Sequence, residues 1–231
     1  AMDRAAKLFE KKVKDPEKRA ATSARMVADV EGAGVARADL IIATDPDADR
    51  LAIGIPASGG FVRLAGDEVG LILAHELASR AGAHGVMANS IVSSSCLSRV
   101  AKAHNLKYQQ TLTGFKWIMQ VPDLLFGYEE ALGYAVDPSH TPDKDGISAA
   151  LLALYIADRL SVQGKSLGAH LADLKAKYDY RPTAQVSVRV ESKAAVREIL
   201  ERLVATPPTQ LQGNAIVVED LSRSEEHTSE L

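Results

Sequence analysis

The sequence predicts an α/β fold, and three observations support this. Short apolar runs that suit buried strands alternate with segments whose apolar residues recur at helical spacing. Clusters of glycine, proline and serine separate these segments. Of the 231 residues, 46% are hydrophobic and 25% are charged, which is ordinary globular composition for one or two domains.

The N-terminal part is predicted to contain two helices and three strands. Helices are expected over residues 4–14 and 16–32, the second capped by Asp15 and opened by Pro16. The expected strands cover residues 38–43, 51–55 and 61–64, with a turn over 56–60 before the third.

The middle of the chain continues the alternation. A helix begins near Asp67, which is its expected cap, and another follows Ser95, the serine expected to cap it. Serines 93–95 also suit an anion at a helix start, but capping is the role we expect. The strands predicted here cover residues 86–93, 107–112 and 124–126.

In the last third, a helix over residues 147–160 is apolar on most sides and is therefore expected to be buried. Ser166 is expected to cap a further helix, to about Lys177. The remaining expectations are a linker over 178–182, a strand over 183–190, a helix over 193–204 and a strand near 216–218. The tail, residues 223–231, has no apolar period and resembles a translated sequencing adapter, so we expect it to be disordered and non-native.

Residues 40–55, LIIATDPDADRLAIGI, carry the strongest functional signal. An apolar run ends in Asp45, Asp47 and Asp49, and Arg50 precedes a second apolar run. In extended backbone residues two apart share a side, so the three carboxylates crowd onto one face. Like charges so close favour a cation among them, and oxygen ligands without His or Cys favour Mg²⁺ over Zn²⁺.

Other interpretations of this acidic loop were weighed. An EF-hand loop requires Gly at its sixth position and Glu at its twelfth, where this chain has Arg50 and Pro56. A solvated acidic turn remains open, although it explains three alternating aspartates poorly. A haloacid-dehalogenase-type phosphatase also carries D-x-D after a buried strand and remains a competing hypothesis.

Composition limits the partners and the location. A net charge of −3 gives no reason to expect nucleic acid or an anionic membrane as a partner. No apolar run approaches the length of a transmembrane helix, and no signal-peptide pattern is present. The lone Cys96 excludes an internal disulfide and fits a reducing compartment, so we expect a cytoplasmic protein.

Three later stretches place polar residues at the ends of predicted strands. Thr113 and Gly114, in TLTGFKW, stand where a strand turns into a helix and exposes N–H groups suited to a phosphate. Glu129 and Glu130, in GYEEALGY, are expected on a tight loop, where paired carboxylates can accept hydrogen bonds from sugar hydroxyls. Lys144, in DKDG, precedes the apolar helix. Each stretch alone could equally be a helix cap or a turn.

Taken in order, DPDADR, TLTGFKWI, GYEEALGY and DKDG resemble the α-D-phosphohexomutases, the family of phosphoglucomutases and phosphomannomutases. The motifs GYEEALGY and DKDG are most similar to those of the branch that contains phosphopentomutase-like and bacterial phosphosugar mutases. The resemblance covers about residues 38–222. It implies mixed-sheet α/β domains around a cleft, with a phosphoserine that exchanges phosphate with the sugar through a bisphosphorylated intermediate. It also implies Mg²⁺ as cofactor, a sugar phosphate as substrate and a sugar bisphosphate as activator.

The resemblance implies roles for the residues of the first and last motifs. Asp45, Asp47 and Asp49 match the three metal ligands of the family. Arg50 matches the loop arginine that faces the transferring phosphate. Lys144 matches a lysine that faces the cleft and assists proton transfer.

The two middle motifs match the substrate-binding residues of the family. Thr113 and Gly114 correspond to the loop near the sugar and its distal phosphate. Glu129 corresponds to the glutamate that grips the sugar 3- and 4-hydroxyls. Many members have serine where this chain has Ala131, so the choice between glucose and mannose stays open.

The resemblance also divides the chain into parts of a larger enzyme. Residues 1–55 are expected to end the second, metal-loop domain, residues 56–177 to form the whole third, sugar-binding domain, and residues 178–222 to start the fourth. No match to the family's serine loop or fourth-domain phosphate clamp occurs in the sequence. We therefore expect a fragment that is inactive alone.

Two other function classes remain open beside a phosphosugar mutase. One is a haloacid-dehalogenase-type Mg²⁺-dependent phosphohydrolase, and the other is a non-catalytic module that binds metal or sugar. A requirement for sugar bisphosphate would separate the mutase from the hydrolase. Turnover by the chain alone would separate both enzymes from the binding module.

Overall fold

The computed structural model describes residues 38–184, 190, 192–211 and 213–218. Several predictions fall outside these residues: the helices over 4–14 and 16–32, the core of the strand over 183–190 and the tail over 223–231. Within the described ranges, no helix combines the length and apolar character needed to cross a bilayer.

Strands and helices alternate along the described chain, as the pattern predicts. The strands are β1 (Ile41–Thr44), β2 (Leu51–Ala57), β3 (Gly60–Arg63), β4 (Val86–Ser90), β5 (Lys107–Thr111), β6 (Leu124–Glu129), β7 (Gly133–Ala135), β8 (Gln210–Leu211) and β9 (Asn214–Ala215). The helices are α1 (Gly66–Ala78), α2 (Cys96–Ala103), α3 (Phe115–Met119), α4 (Gly146–Val162), α5 (Leu167–Lys177) and α6 (Lys193–Ala205).

A four-stranded mixed sheet organises the centre of the fold. Its strand order is β5-β4-β6-β7, with β4 parallel to both neighbours and β7 antiparallel to β6. Every residue of β4 is buried, as expected of a central parallel strand covered on both faces. The mixed-sheet α/β class predicted from the sequence is therefore confirmed.

A second, antiparallel sheet has the order β1-β2-β3 and carries the acidic loop between β1 and β2. Leu51 and Ile53 of β2 point into the same hydrophobic core as helices α1, α4 and α5. Strand β2 continues to Ala57, so the turn predicted over 56–60 is shorter than expected. One continuous core thus supports the acidic loop and the mixed sheet together.

Helix α1 begins differently from the prediction. Its N-cap is Ala65, whose backbone N–H donates to Glu68 Oε2 at 2.7 Å. Asp67 is instead buried and accepts hydrogen bonds from the Ser94 backbone N–H at 2.7 Å and from the Tyr128 hydroxyl at 2.8 Å. The predicted cap is wrong, because tertiary partners on other elements recruit this carboxylate. Ser95 does occupy the N-cap position of α2, although its side chain makes no capping hydrogen bond.

Helix α4 is not buried on most sides, contrary to expectation. One side, which includes Ala149, Leu152 and Ile156, packs into the core. The opposite side exposes a stripe of large apolar residues: Ile147, Leu151, Leu154, Tyr155 and Val162. The helix is apolar on both sides, so its sequence alone does not show which side packs against the other described elements.

The boundaries near the end of the mixed-sheet region also differ from the predictions. The strand expected over 86–93 ends at Ser90, because residues 91–94 form a turn. The linker expected from residue 178 begins later, since Tyr178 is buried in the core. Residues 183–184 and 216–218 are not strands, whereas α6 and the Ser166 cap of α5 agree with the predictions.

A cluster of aromatic and imidazole rings holds Tyr178 in place. Its hydroxyl lies 2.8 Å from His75 Nδ1 and 3.0 Å from His104 Nε2, and its backbone oxygen accepts from Arg99 Nε at 2.7 Å. The His75 ring also contacts the His170 ring, with centroids 5.8 Å apart. Three imidazoles and a phenol therefore share one partly buried site between α1, α2 and α5.

Burial lowers the pKa of His75 from its ordinary 6.5 to about 4, and the nearby positive charge of Lys177 adds to this effect. Burial likewise lowers the pKa values of His104 and His170. Between pH 6.5 and 4 the unfolded chain consequently binds more protons than the folded chain. Stability therefore rises with pH across this window and is lost as the pH falls.

We predict that the free energy of unfolding decreases between pH 6.5 and 4 by about 1 kcal/mol from His75, after allowance for its partial exposure. The measurement is urea denaturation at several pH values. His75→Gln removes the titrating group and should flatten this part of the profile, with His84→Gln on an exposed turn as the matched control. A wild-type slope retained in His75→Gln would contradict the assignment.

Candidate active site

The three aspartates lie together on the loop between β1 and β2. One ligand oxygen from each of Asp45, Asp47 and Asp49 can be chosen so that all lie within 4.8 Å of one another. Asp45 and Asp49 are partly buried, and Asp47 is exposed. Carboxylate oxygens so arranged are the donor set that a hard divalent cation prefers.

Local backbone geometry shapes this metal loop, residues 45–50. Thr44 pairs with Leu51 across the hairpin, which leaves six residues to make the turn. Ala48 has a positive φ of 60°, and its N–H donates to the Asp45 backbone oxygen at 3.0 Å. The Arg50 N–H donates to Asp45 Oδ1 at 3.2 Å. The left-handed Ala48 and the hydrogen bond from the Arg50 N–H to the Asp45 side chain thus bring the alternate carboxylates to one side.

Asp49 shows that the loop fits a cation. Its Oδ2 accepts from Lys144 Nζ at 2.7 Å, and this bond raises the pKa of the lysine. Its Oδ1 is buried and has no hydrogen-bond partner, and Arg50 Nε lies 3.7 Å away. A buried carboxylate oxygen without a partner is costly, and a bound Mg²⁺ would satisfy it.

The GYEEALGY stretch forms a β-hairpin instead of the predicted tight loop. Strand β6 runs on through Glu129, and only residues 130–132 turn before β7. Glu129 Oε1 accepts from the Gly114 backbone N–H at 2.8 Å. The pairing of β6 with β7 therefore fixes the position of Glu129 more firmly than a free loop would.

The Glu130 side chain points away from the Gly114 loop and is hydrogen-bonded to two serines near the end of β4. Its Oε2 accepts from Ser93 Oγ at 2.8 Å and from Ser90 Oγ at 3.3 Å, and its own N–H donates to Ser93 Oγ. The two neighbouring glutamates thus have different surroundings. Glu129 faces the strand-end loop of Gly114, and Glu130 anchors the turn to the end of β4.

The metal loop is hydrogen-bonded to the hairpin and to the start of α4. The Leu51 N–H donates to the Leu132 oxygen at 3.0 Å, and Arg50 forms an isolated β-bridge with Gly133. The Gly146 N–H donates to the Ala48 oxygen at 3.0 Å. A Cβ added at Gly146 would lie 2.4 Å from the Arg50 oxygen, so a side chain would displace the loop.

A cavity of about 530 Å³ lies beside these elements and includes Thr113, Gly114 and Lys144. Gly114 has a φ of 111°, a conformation that favours glycine, and it caps α3. Helix α3 has only five residues, and the Gly114 N–H already donates to Glu129. One of the N–H groups predicted to bind a phosphate here is therefore already hydrogen-bonded within the protein.

The remaining predicted site residues, Arg50 and Ala131, are exposed at the surface around these elements. The Arg50 side chain is 53% exposed, and its Nε lies 3.7 Å from Asp45 Oδ2. Ala131 is exposed at the hairpin turn, two residues after Glu129. The structure therefore brings the metal loop, the hairpin, the Gly114 loop and Lys144 to one region of the surface.

Sequence reasoning missed the residues that support this region. Ser90 and Ser93 hold Glu130, and Gly133 and Gly146 permit close approach of other elements. A Cβ at Gly133 would lie 3.0 Å from Lys144 Cδ. The glycines within the polar motifs could have indicated these contacts, because a glycine often occurs where another backbone segment approaches closely.

Comparison with known proteins relates this chain to a family of enzymes. Residues 65–178 match the family model described as phosphoglucomutase/phosphomannomutase, alpha/beta/alpha domain III. A protein named "Probable phosphomannomutase" from Haemophilus influenzae is 42% identical over 178 residues, which cover 76% of this chain and 37% of that protein. A phosphoglucomutase from Staphylococcus aureus strain N315 is 31% identical over 210 residues, which cover 85% of this chain and 38% of that protein. The chain thus spans less than two-fifths of the length of these relatives.

A solved structure shares the fold. The phosphoglucomutase/phosphomannomutase family protein from Burkholderia thailandensis superposes with a TM-score of 0.55 at 16% identity, over 78% of this chain and 36% of that one. At this identity the similarity concerns the fold alone. The domain III match and the sequence relatives lead to one conclusion: the chain belongs to the α-D-phosphohexomutase family.

Proposed function

We propose that this chain supplies the metal-binding and sugar-binding elements of a phosphosugar mutase, an intramolecular phosphotransferase. The reaction moves phosphate between C1 and C6, or C1 and C5, of a sugar phosphate through a bisphosphorylated intermediate. The observation that carries the proposal is the joining of a three-carboxylate loop to a glutamate-bearing hairpin by direct backbone hydrogen bonds.

Asp45, Asp47 and Asp49 would hold Mg²⁺, and the buried Oδ1 of Asp49 supports this. When bound, the ion supplies positive charge that stabilises the transferring phosphoryl group. Arg50 projects from the same loop with a half-exposed guanidinium, which suits a phosphate oxygen through paired N–H donors. The bound ion and the Arg50 guanidinium would therefore both place positive charge next to the phosphate of a bound substrate.

Glu129 would orient the sugar by accepting hydrogen bonds from two vicinal hydroxyls. One of its oxygens already accepts from Gly114, which leaves the other free of a protein partner among the described residues. Ala131 offers no hydroxyl at the turn, so its position contributes shape but no hydrogen bond. Sugar selection would then depend on Glu129 and on the cavity beside Gly114.

The proposed cycle also requires a group that donates phosphate, and a sugar bisphosphate would activate the enzyme by loading it. The printed sequence contains no match to the serine loop of the family. We therefore assign the donation of phosphate to a region other than the motifs described. The proposed substrate class is a hexose or pentose phosphate. Binding measurements on this chain test its own part separately from turnover.

The first prediction from the proposed function concerns the metal. Replacing Asp45, Asp47 and Asp49 together by Asn should abolish Mg²⁺ binding measured by titration calorimetry, because neutral amides bind Mg²⁺ far more weakly than carboxylates. Loss of mutual repulsion should leave the metal-free melting temperature unchanged or higher. Asp39→Asn, at an exposed carboxylate before β1, is the control and should bind normally. Mg²⁺ binding retained in the triple variant would refute the metal assignment.

The second prediction separates the two glutamates. Glu129→Gln should weaken binding of glucose 1-phosphate, since it removes a charge-assisted hydrogen bond worth about 1.5–3 kcal/mol, while Gln still accepts from Gly114. Glu130→Gln should instead lower the melting temperature, because its carboxylate holds the two serines. Chemical shift titration and thermal denaturation measure the two effects. If Glu130→Gln were the variant that weakens binding more, the assignment of the hairpin would be wrong by one residue.

The third prediction is that the chain as printed does not interconvert sugar phosphates. Orientation and a pre-loaded phosphate supply much of phosphoryl-transfer catalysis, and neither is provided by the motifs present. The assay supplies Mg²⁺, catalytic sugar bisphosphate and glucose 1-phosphate, mannose 1-phosphate or ribose 1-phosphate. Turnover that disappears in Asp47→Asn would contradict this prediction, because it would show that the chain alone completes the reaction at its metal loop.

A further inference from the structure

Lys144 lies between the metal loop and the cavity beside Gly114. Its Nζ is 2.7 Å from Asp49 Oδ2, and the two side chains are only 22% and 26% exposed. The same lysine lines the cavity that includes Thr113 and Gly114. One ammonium group can therefore serve either the acidic loop or a ligand in the cavity.

We infer that the Lys144 ammonium, held at Oδ2 of Asp49, is a tethered cation that opposes Mg²⁺ binding at Oδ1 of the same carboxylate, and that metal binding releases it toward the cavity. The inference rests on the proposed metal site and adds a regulatory contact to it. Metal binding and anion binding would then favour each other, because the metal frees the lysine and an anion keeps it away from Asp49.

Electrostatics explain why a tethered cation is needed. Three carboxylates with oxygens within 4.8 Å repel one another when no metal is bound. Arg50 Nε is 3.7 Å from Asp45 Oδ2 and from Asp49 Oδ1, beyond hydrogen-bonding distance, whereas Lys144 makes a direct contact with Asp49. A divalent ion among the carboxylates would repel the ammonium and take over its role.

Packing limits the movement to the end of the side chain. The stem of Lys144 passes Gly133 so closely that an added Cβ there would lie 3.0 Å from its Cδ. Its Nζ is 5.8 Å from the centroid of the Phe115 ring, directly after Gly114. The backbone beside it is fixed, because the Asp145 N–H donates to the Tyr134 oxygen at 2.9 Å. The ammonium can therefore swing while its stem stays in contact with Gly133.

The first test measures Mg²⁺ affinity by titration calorimetry on the whole chain at low ionic strength. Lys144→Met should bind Mg²⁺ roughly two- to fivefold more tightly than the wild type, the range for losing one partly exposed competing charge. Lys144→Arg keeps the charge and should stay near the wild-type affinity. Lys165→Met is the matched control, since Lys165, which precedes α5, pairs with Asp173 within that helix and should leave the affinity unchanged.

The second test distinguishes competition from a packing role. Lys144→Met should lower the melting temperature when metal is absent, because the carboxylates lose their counter-charge. With saturating Mg²⁺ the variant and the wild type should melt within experimental error of each other. A lysine with only a packing role would lower both melting temperatures equally, and that result would overturn the inference.

The outcomes separate this inference from the proposed function. Mg²⁺ binding that is lost in Asp47→Asn but is equal or weaker in Lys144→Met would refute competition by the lysine and leave the metal site standing. Absence of Mg²⁺ binding by the wild type would refute the metal site, and the inference with it. Tighter binding in Lys144→Met, confined to that variant, supports the inference.

Discussion

Repulsion among three carboxylates on one short loop is the constraint on which the rest of the site depends. The oxygens of Asp45, Asp47 and Asp49 approach within 4.8 Å, so the loop would spread apart if its backbone were free. Hydrogen bonds from Leu51 to the hairpin and from Gly146 to the loop oppose this spreading. Their cost is conformational: Ala48 adopts a positive φ, and close approach requires glycine at position 146. The binding elements are therefore positioned together, because they share the same backbone hydrogen bonds.

The same hairpin solves a second problem, which is how two adjacent glutamates can differ in role. Glu129 ends β6 and Glu130 begins the turn that follows, and their side chains face different partners. Ser90 and Ser93 fix Glu130 at the carboxyl end of the buried strand β4, the edge at which α/β sheets commonly bind ligands. An inward carboxylate thus holds the turn, and an outward one remains available for a ligand. Family membership fits this arrangement and replaces the haloacid-dehalogenase hypothesis.

The fold class and most elements could be predicted from the sequence, because hydrophobic period and turn residues act locally. The acidic cluster could be predicted because the spacing of the aspartates is local, but the extended backbone expected there is wrong: residues 45–49 form a turn in which Ala48 has a positive φ. Asp67 could not, because its partners Ser94 and Tyr128 are distant in the chain and outcompete a capping role. The exposed face of α4 and the buried Tyr178 were missed for a related reason: periodicity identifies an apolar residue but not the surface that covers it. The supporting serines and glycines gave only weak signals, because each has several ordinary uses.

The alternative functions show why a short motif needs its surroundings. An Asp-x-Asp loop after a strand suits many phosphate-handling sites, and by itself it does not separate transfer from hydrolysis. In this chain three other elements place polar groups near the Asp-x-Asp loop. They are a glutamate from a hairpin, a glycine N–H from the start of α3 and a lysine from the loop before α4. Lys144 links these parts, since it contacts Asp49 and lines the cavity with Gly114. The proposed mutase site, which would receive a phosphate at the metal and hold the sugar beside it, would require this adjacency, whereas binding of a metal alone would not.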